Sequence, residues 1–447
     1  MASKLRFSLA ACLLPVVLGA ASLAQADDAS PATQPSCNSG LLFPNDEEAG
    51  DGFGGSVAVN GQTAMVAIPF FSTAFVTPPV NPPYVSGRVA VFTCDASTQA
   101  WTRTATIQLP ATDANQHVEF AFSVALQGNL AAVGTQGQGV YVYKRQGLNW
   151  NQIARLVPKN SDVGIIGTPA EQWGNVIALD DHVLAVGGVE IISSPGPGGI
   201  GFVTSGSYFV DVYQIVTLGD HGAAIRVARL RPPAGDTGGF GGSLALDRDT
   251  LVVGDPPDVT AYIYKRRGVT FRLEQTITGA EATTDSAFGT TVAIAKGVIL
   301  VGAPTEDAVF DSFGVYSQGA VYAFRHKSGP GSPWVETQHF SPAQVGASQY
   351  AYFGGTLALN RNGLAAIGTP GAYDYASQTE HGPTFFYTLH GGQFVLSVQH
   401  PPQFGTVIPA TGLGITDEYL ISGSLFYEHG FQISSAEITN LTQSPAN

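Results

Sequence analysis

A chain of 447 residues with 34 acidic against 20 basic side chains carries a formal charge of −14 at pH 7. That balance argues against nucleic acid or an anionic membrane surface as partner, because Lys and Arg must replace counterions at both. Only 12% of residues are charged and 54 are Gly, a composition suited to short strands and tight turns and not to helices.

The N-terminus reads as an export signal. Lys4 and Arg6 precede an apolar stretch from Leu9 to Leu23, and Ala24-Gln25-Ala26 supplies a small-x-small cleavage site, so residues 1–26 are expected to be removed and Asp27 to begin the mature chain. Leu9-Ala10-Ala11-Cys12 has the letters of a lipoprotein site, but it would leave almost no apolar stretch before the cysteine. Cleavage removes Lys4 and Arg6 and no acidic residue, which moves the charge from −14 to −16. No later run approaches the roughly 20 apolar residues of a membrane span. Residues 27–36 read as a short Pro/Ser/Ala linker, 37–440 as one repeat domain and 441–447 as a tail.

Two cysteines remain, Cys37 and Cys94. In an oxidising compartment they pair readily, and two unpaired thiols are the alternative, since Cα separation cannot be read from sequence. With scattered histidines they give no metal-site spacing.

From Phe53 onward one unit recurs. Phe53-Gly54, Phe240-Gly241, Phe288-Gly289 and Phe353-Gly354 are its strong copies, Phe120-Ala121 and Trp173-Gly174 its weaker ones, and a decayed seventh fits near Pro409. Intervals run from 48 to 67 residues, the spacing of an array of supersecondary units. The fourth copy is the clearest. Ser243–Leu246 reads as a strand, Asp247–Asp249 as a turn, Leu251–Gly254 and Ala261–Tyr264 as the next two strands, and Phe271–Ile277 as a fourth. A four-stranded antiparallel sheet cannot bury its own faces, whereas seven set radially bury one another's, so the pattern predicts an all-β, seven-bladed β-propeller. The Phe of each motif is expected between blades, with its Gly allowing close backbone approach.

Ring closure is legible too. Leu41–Pro44 ahead of Phe53-Gly54 resembles the fourth strand Leu230–Pro233 ahead of Phe240-Gly241, while the last repeat stops after its third strand near Glu437. The N-terminal strand is therefore expected to complete the last blade and remove an open edge.

These Phe-Gly pairs, with Val301-Gly302-Ala303-Pro304 and the looser Ile367-Gly368-Thr369-Pro370, resemble the FG-GAP repeats of the integrin alpha-subunit propeller, and more closely those of exported bacterial proteins. The resemblance spans nearly all of residues 40–440 and implies the fold; a propeller hosts unrelated activities, so it leaves function open. The chain departs from the integrin pattern at calcium. Connections such as Asn60-Gly61, Lys296-Gly297 and Asp247–Asp249 are hairpin turns too short to supply the six to eight oxygens that calcium takes, so no metal and no cofactor is expected.

Second-to-third strand connections are long in repeats 1, 3, 5 and 6, near 70–86, 189–205, 305–318 and 371–382, and all emerge on one face. Phe71, Phe75, Tyr84, Phe310, Phe313, Tyr316, Tyr373 and Tyr375 gather there, as candidates for binding carbohydrate or protein or as packing for the loops themselves. Asp307 and Asp311 invite a cation reading, but two carboxylates without a dense oxygen loop read rather as solvated or turn-forming residues, and Asp51, Asp236 and Asp285 as caps of the turns into Phe-Gly copies. No catalytic motif occurs, and Glu380-His381 is the nearest acid-base pair. The expected function is an exported, monomeric, non-catalytic recognition or adhesion module. The alternatives are a secreted polysaccharide-cleaving enzyme with carboxylates at the channel mouth, and an architectural part of a surface assembly.

Overall fold

The computed structural model describes residues 36–42, 53–69, 87–110, 120–135, 139–158, 173–195, 202–233, 238–307, 309–311, 314–341, 352–370, 373–374, 379–380, 384–400, 410–428 and 431–442. They form seven four-stranded antiparallel sheets. Blades 1 to 6 run in chain order and start at Val57, Phe120, Ile177, Ser243, Thr291 and Thr356. Blade 7 takes Ala410–Ile415, Tyr419–Glu428 and Phe431–Asn440 from the end of the chain and Gly40–Leu42 from its beginning. Gly40 pairs with Ile438, Leu41 with Glu437 and Leu42 with Ala436, so the N-terminal strand completes the last blade.

The first strand of each blade packs beside the first strands of its neighbours and lines the axis. Second strands, covered by a strand on each side and a blade on each face, are buried along their whole length in Thr63–Ile68, Leu130–Thr135, Thr250–Asp255 and Val298–Ala303. Fourth strands form the exposed perimeter and alternate in burial, as in Ala100–Gln108.

The motif aromatics sit between blades. Phe120 packs with Val89 and Ile107 of blade 1 and Val133 of blade 2, and Phe288 with Ile263 and Ile277 of blade 4 and Val301 of blade 5. Each also meets a third-strand aromatic of its own blade edge-on. Phe120 lies 5.6 Å from Tyr141, Phe240 5.4 Å from Tyr262, Phe288 5.3 Å from Tyr322 and Phe353 5.6 Å from Phe385. Such contacts add about 1 kcal/mol to the burial of each ring. Between third and fourth strands a β-bulge recurs, at Val91/Phe92, Val142/Tyr143, Val212/Tyr213, Ile263/Tyr264, Ala323/Phe324 and Phe386/Tyr387. An extra residue at this position increases strand twist, which opens each blade toward the rim.

The glycines of the repeat interlock from blade to blade. Within a blade the Phe-Gly amide donates to the carbonyl of the second-strand glycine: Gly174 to Gly187, Gly241 to Gly254, Gly289 to Gly302 and Gly354 to Gly368, at 3.0–3.2 Å. The Phe-Gly carbonyl then presses on the second-strand glycine of the preceding blade. A β-carbon added to Gly134, Gly254 or Gly302 would stand 2.0, 2.1 or 2.2 Å from the oxygen of Gly174, Gly289 or Gly354. Hydroxyls of the first strand donate to the same carbonyls, Ser123 to Gly174, Ser243 to Gly289 and Thr291 to Gly354, at 2.6–2.7 Å. In blade 1 Ala67 takes the glycine's place, and the carbonyl of Phe120 abuts Gly87 instead.

Cys37 and Cys94 form a disulfide with Cα atoms 5.7 Å apart. It joins the chain just before the closing strand to the third strand of blade 1, and so bridges the seam of the ring. Asn440 Nδ2 donates to the Cys37 carbonyl, and the Cys37 amide donates to Tyr419 Oη at 2.7 Å.

Candidate functional site

All second-to-third strand connections leave by one face, but in three blades they are not irregular loops, as the sequence reading expected. In blade 3 the ladder runs on through Val183–Pro195 and Phe202–Leu218 as far as Pro195 opposite Phe202. Blade 5 adds a separate ribbon of Val309–Asp311 and Gly314–Tyr316, and blade 6 one of Tyr373–Asp374 and Thr379–Glu380. Blade 7, not counted among the long connections, extends its hairpin to Glu428 opposite Phe431. The cause is the paired register itself, since continuing the ladder satisfies backbone groups that a loop would leave to water.

Of the eight aromatic candidates, Phe71, Phe75, Tyr84, Phe313 and Tyr375 lie outside the described residues. Phe310, Tyr316 and Tyr373 are placed in ribbon strands, opposite Val315, Val309 and Glu380. Asp51, Asp236 and His381 are also outside. Asp285 contributes its backbone carbonyl, which accepts from Thr305 Oγ1 at 2.5 Å. Asp307 is exposed, and among the described residues no three His, Cys, Asp or Glu side chains gather as a metal site would require.

Two polar networks brace the feet of the ribbons, and no local motif announces either. In blade 5 the buried Glu306 accepts from Tyr322 Oη at 2.6 Å and meets His339 Nε2 at 2.8 Å. Glu281 approaches the other ring nitrogen at 3.4 Å, and the rings of Tyr322 and His339 stack at 4.5 Å. The hydrogen bond to Glu306 holds the His339 imidazole above its usual pKa against the opposing effect of burial, with the charges of Glu306, Glu281 and Glu336 adding to it. Burial, then Glu306, pushes the Tyr322 phenol up. The backbone of Glu306 also accepts from Gly319, so one residue pins both ends of the connection that carries the ribbon. With both carboxylate oxygens engaged, this group positions the connection and is not a free acid or base.

In blade 3 Arg229 grips the buried Asp211 with two hydrogen bonds of 2.8 Å, and Arg226 stands 3.4 Å away. The Arg229 guanidinium lies 3.7 Å over the ring of Phe209. Arg231 reaches Glu190 and Ser207 on the rising strands of the ribbon.

The opposite face is knitted tight. Asn60 Oδ1 accepts from the Gly128 amide, Asp180 Oδ2 from Arg248 and Asp247 Oδ2 from Lys296, at 2.6–3.0 Å, and Asn360 Nδ2 donates to the Thr416 carbonyl. Each bond ties the first turn of one blade to that of the next. Arg361 of blade 6 crosses the channel, 2.9 Å from Asp247 and 3.6 Å from Asp180 of blades 4 and 3. The two carboxylates at this end of the axis thus share one guanidinium, and each also accepts from a backbone amide of the next blade.

No helix among the described residues is long and apolar enough to cross a membrane. Fold and faces together define a seven-bladed β-propeller that presents ribbons on one side and fixed turns on the other. The FG-GAP repeat family matches residues 271–324, from the fourth strand of blade 4 through the third strand of blade 5. The chain is thus a seven-bladed β-propeller that carries an FG-GAP repeat across the junction of blades 4 and 5. Among solved structures it resembles the Cps50 (Swd1) β-propeller domain of Myceliophteria thermophila, with TM-score 0.52 and 11% identity over 90% of this chain and 100% of that one. Sqt1 of Saccharomyces cerevisiae aligns with TM-score 0.46 and 11% identity over 91% of this chain and 100% of that one. The first likeness is one of fold alone. No curated protein sequence matches the chain.

Proposed function

We propose that the protein is an exported, non-catalytic recognition module that binds a protein or carbohydrate ligand through its ribbon-bearing face. One observation carries this reading: ribbons from blades 3, 5, 6 and 7 project from the same side of a ring whose other side is fastened turn to turn. A rigid ring fixes where the ribbons stand while leaving their sequences free to vary, which is the arrangement of binding loops on many stable folds. The aromatic content of these connections suits sugar rings and protein hot spots. The enzyme alternative needs free carboxylates at the channel mouth, and the pairing of Asp180 and Asp247 with Arg361 does not favour it.

The test is a panel of immobilised glycans and extracellular proteins probed with wild type and with a Tyr84→Ala, Phe313→Ala, Tyr373→Ala triple variant. Loss of binding with an unchanged melting temperature is expected. A variant that unfolds shows that the rings serve packing; one that folds and binds normally puts the ligand elsewhere.

A further inference from the structure

On the fixed-turn face, between blades 5 and 6, a cleft of about 510 Å³ opens beside Lys296, Arg325, His326, Thr337, Gln393 and the paired glycines Gly391-Gly392. The volume falls in the range of small-ligand sites. Its charged lining is wholly basic, in a chain whose formal charge is −14. Among the described residues neither the Lys296 ammonium nor the half-buried Arg325 guanidinium has a carboxylate partner. Asp247, the acidic group bonded to the Lys296 amide, is already occupied by that amide and by Arg361. Other parts of the lining are held in place. The His326 imidazole is fixed by the Ser332 carbonyl and lies tilted against the Trp334 ring with centroids 4.0 Å apart, while Thr337 Oγ1 donates to the Ala323 carbonyl.

We propose that this cleft binds the oxyanion group, sulfate, phosphate or carboxylate, of a small ligand. Two cations with no carboxylate partner among the described residues, set at a concave site, attract an anion, and Arg presents a planar fork that matches oxyanion geometry. The turn glycines leave the way open: a β-carbon at Gly392 would come within 3.1 Å of Arg325 Nη1, so a side chain there would crowd the guanidinium. The site is independent of the ribbon-bearing face, and either can fail without the other.

The test is amide NMR of the purified protein titrated with sodium sulfate, sodium phosphate and citrate, with glucose as the neutral control. Saturable shifts at Gly297, Gly391 and Gly392 are expected from at least one anion with a Kd of about 1 mM or below, weakening as sodium chloride is raised. Which anion acts distinguishes the three oxyanion sources. A Lys296→Gln, Arg325→Gln double variant should keep its melting temperature and lose about tenfold or more in affinity. Absence of saturable shifts with all three anions, equal shifts with glucose, or unchanged affinity in the double variant would each overturn the assignment.

Discussion

The carbonyl oxygen of Gly54, at the start of blade 1, occupies the space that a side chain on Gly423 of blade 7 would need: a β-carbon on Gly423 would stand 2.1 Å from it. The seam of the ring therefore uses the same contact as the joints between Gly254 and Gly289 and between Gly302 and Gly354. The glycine of the second strand is required by the neighbouring blade and not by its own backbone conformation.

Gly302→Ala and Gly423→Ala should consequently destabilise the fold by about 3 kcal/mol or more, as overpacking against immovable backbone does. Gly40→Ala, where nothing lies within 4 Å, serves as control and should stay within about 0.5 kcal/mol. Denaturant midpoints of the three variants check this. Equal stabilities would show that the ring relaxes around the added carbon.

Ala121 stands where five other described copies of the repeat have glycine, and it holds φ 68° against 86° to 99° in those glycines. A left-handed Ala costs about 1–2 kcal/mol, more than the roughly 0.4–1 kcal/mol of unfolded-chain entropy that a glycine adds. Ala121→Gly should therefore stabilise the protein by about 0.5–1 kcal/mol, read as a raised urea midpoint at constant slope. A lowered midpoint would mean that the buried methyl contributes more packing than the backbone loses.

Cys37→Ser with Cys94→Ser should cost about 2–4 kcal/mol, because the bridge closes a long loop and ties the closing strand to blade 1. Reductant should lower the wild-type melting temperature by the same mechanism and leave the double variant unaffected. The loss is expected to be cooperative, with Tyr419 and Asn440 released alongside Cys37.

His339 gives stability a pH dependence of defined sign. Its folded-state pKa is raised by Glu306, so protonation favours the native state. The contribution is fully present below about pH 6.5, the ordinary value for histidine, and is lost as pH rises through the folded value. His339→Gln should remove this slope on the alkaline side of about pH 6.5. An unchanged stability profile in the variant would show that the pair with Glu306 does not form.

The blade count was legible because Phe-Gly and the glycine of the next strand recur at long, regular intervals, and the orphan strand at Leu41 had the pattern of a fourth strand. The seventh copy was the faintest; a Phe-Gly pair does stand at Phe404-Gly405, ahead of the strand that begins at Ala410, in residues outside the described set. The ribbons were not legible, because Ser193-Ser194-Pro195 and the Gly/Pro-rich residues after them carry turn letters, while the pairing that prolongs Val183–Pro195 depends on its register with Phe202–Leu218. Nor were the networks around Glu306 and Arg361. Glu306 and His339 are 33 residues apart, and Arg361 meets Asp247 across 114, distances that only the closed ring abolishes. The aromatic candidates followed from their place between predicted strands, a rule that locates a face and does not fix which rings reach a ligand.

The strand that finishes blade 7 is the first of the propeller's strands to be synthesised, and Cys37 waits for Asn440, 403 residues later, before that corner is complete. At about 5–20 residues per second the interval is roughly 20–80 s. Cys94 follows Cys37 by only 57 residues, so the early strand can be tethered beside blade 1 long before its partner exists. The bridge then acts as a bookmark, keeping the beginning of the chain at the spot where the end must arrive.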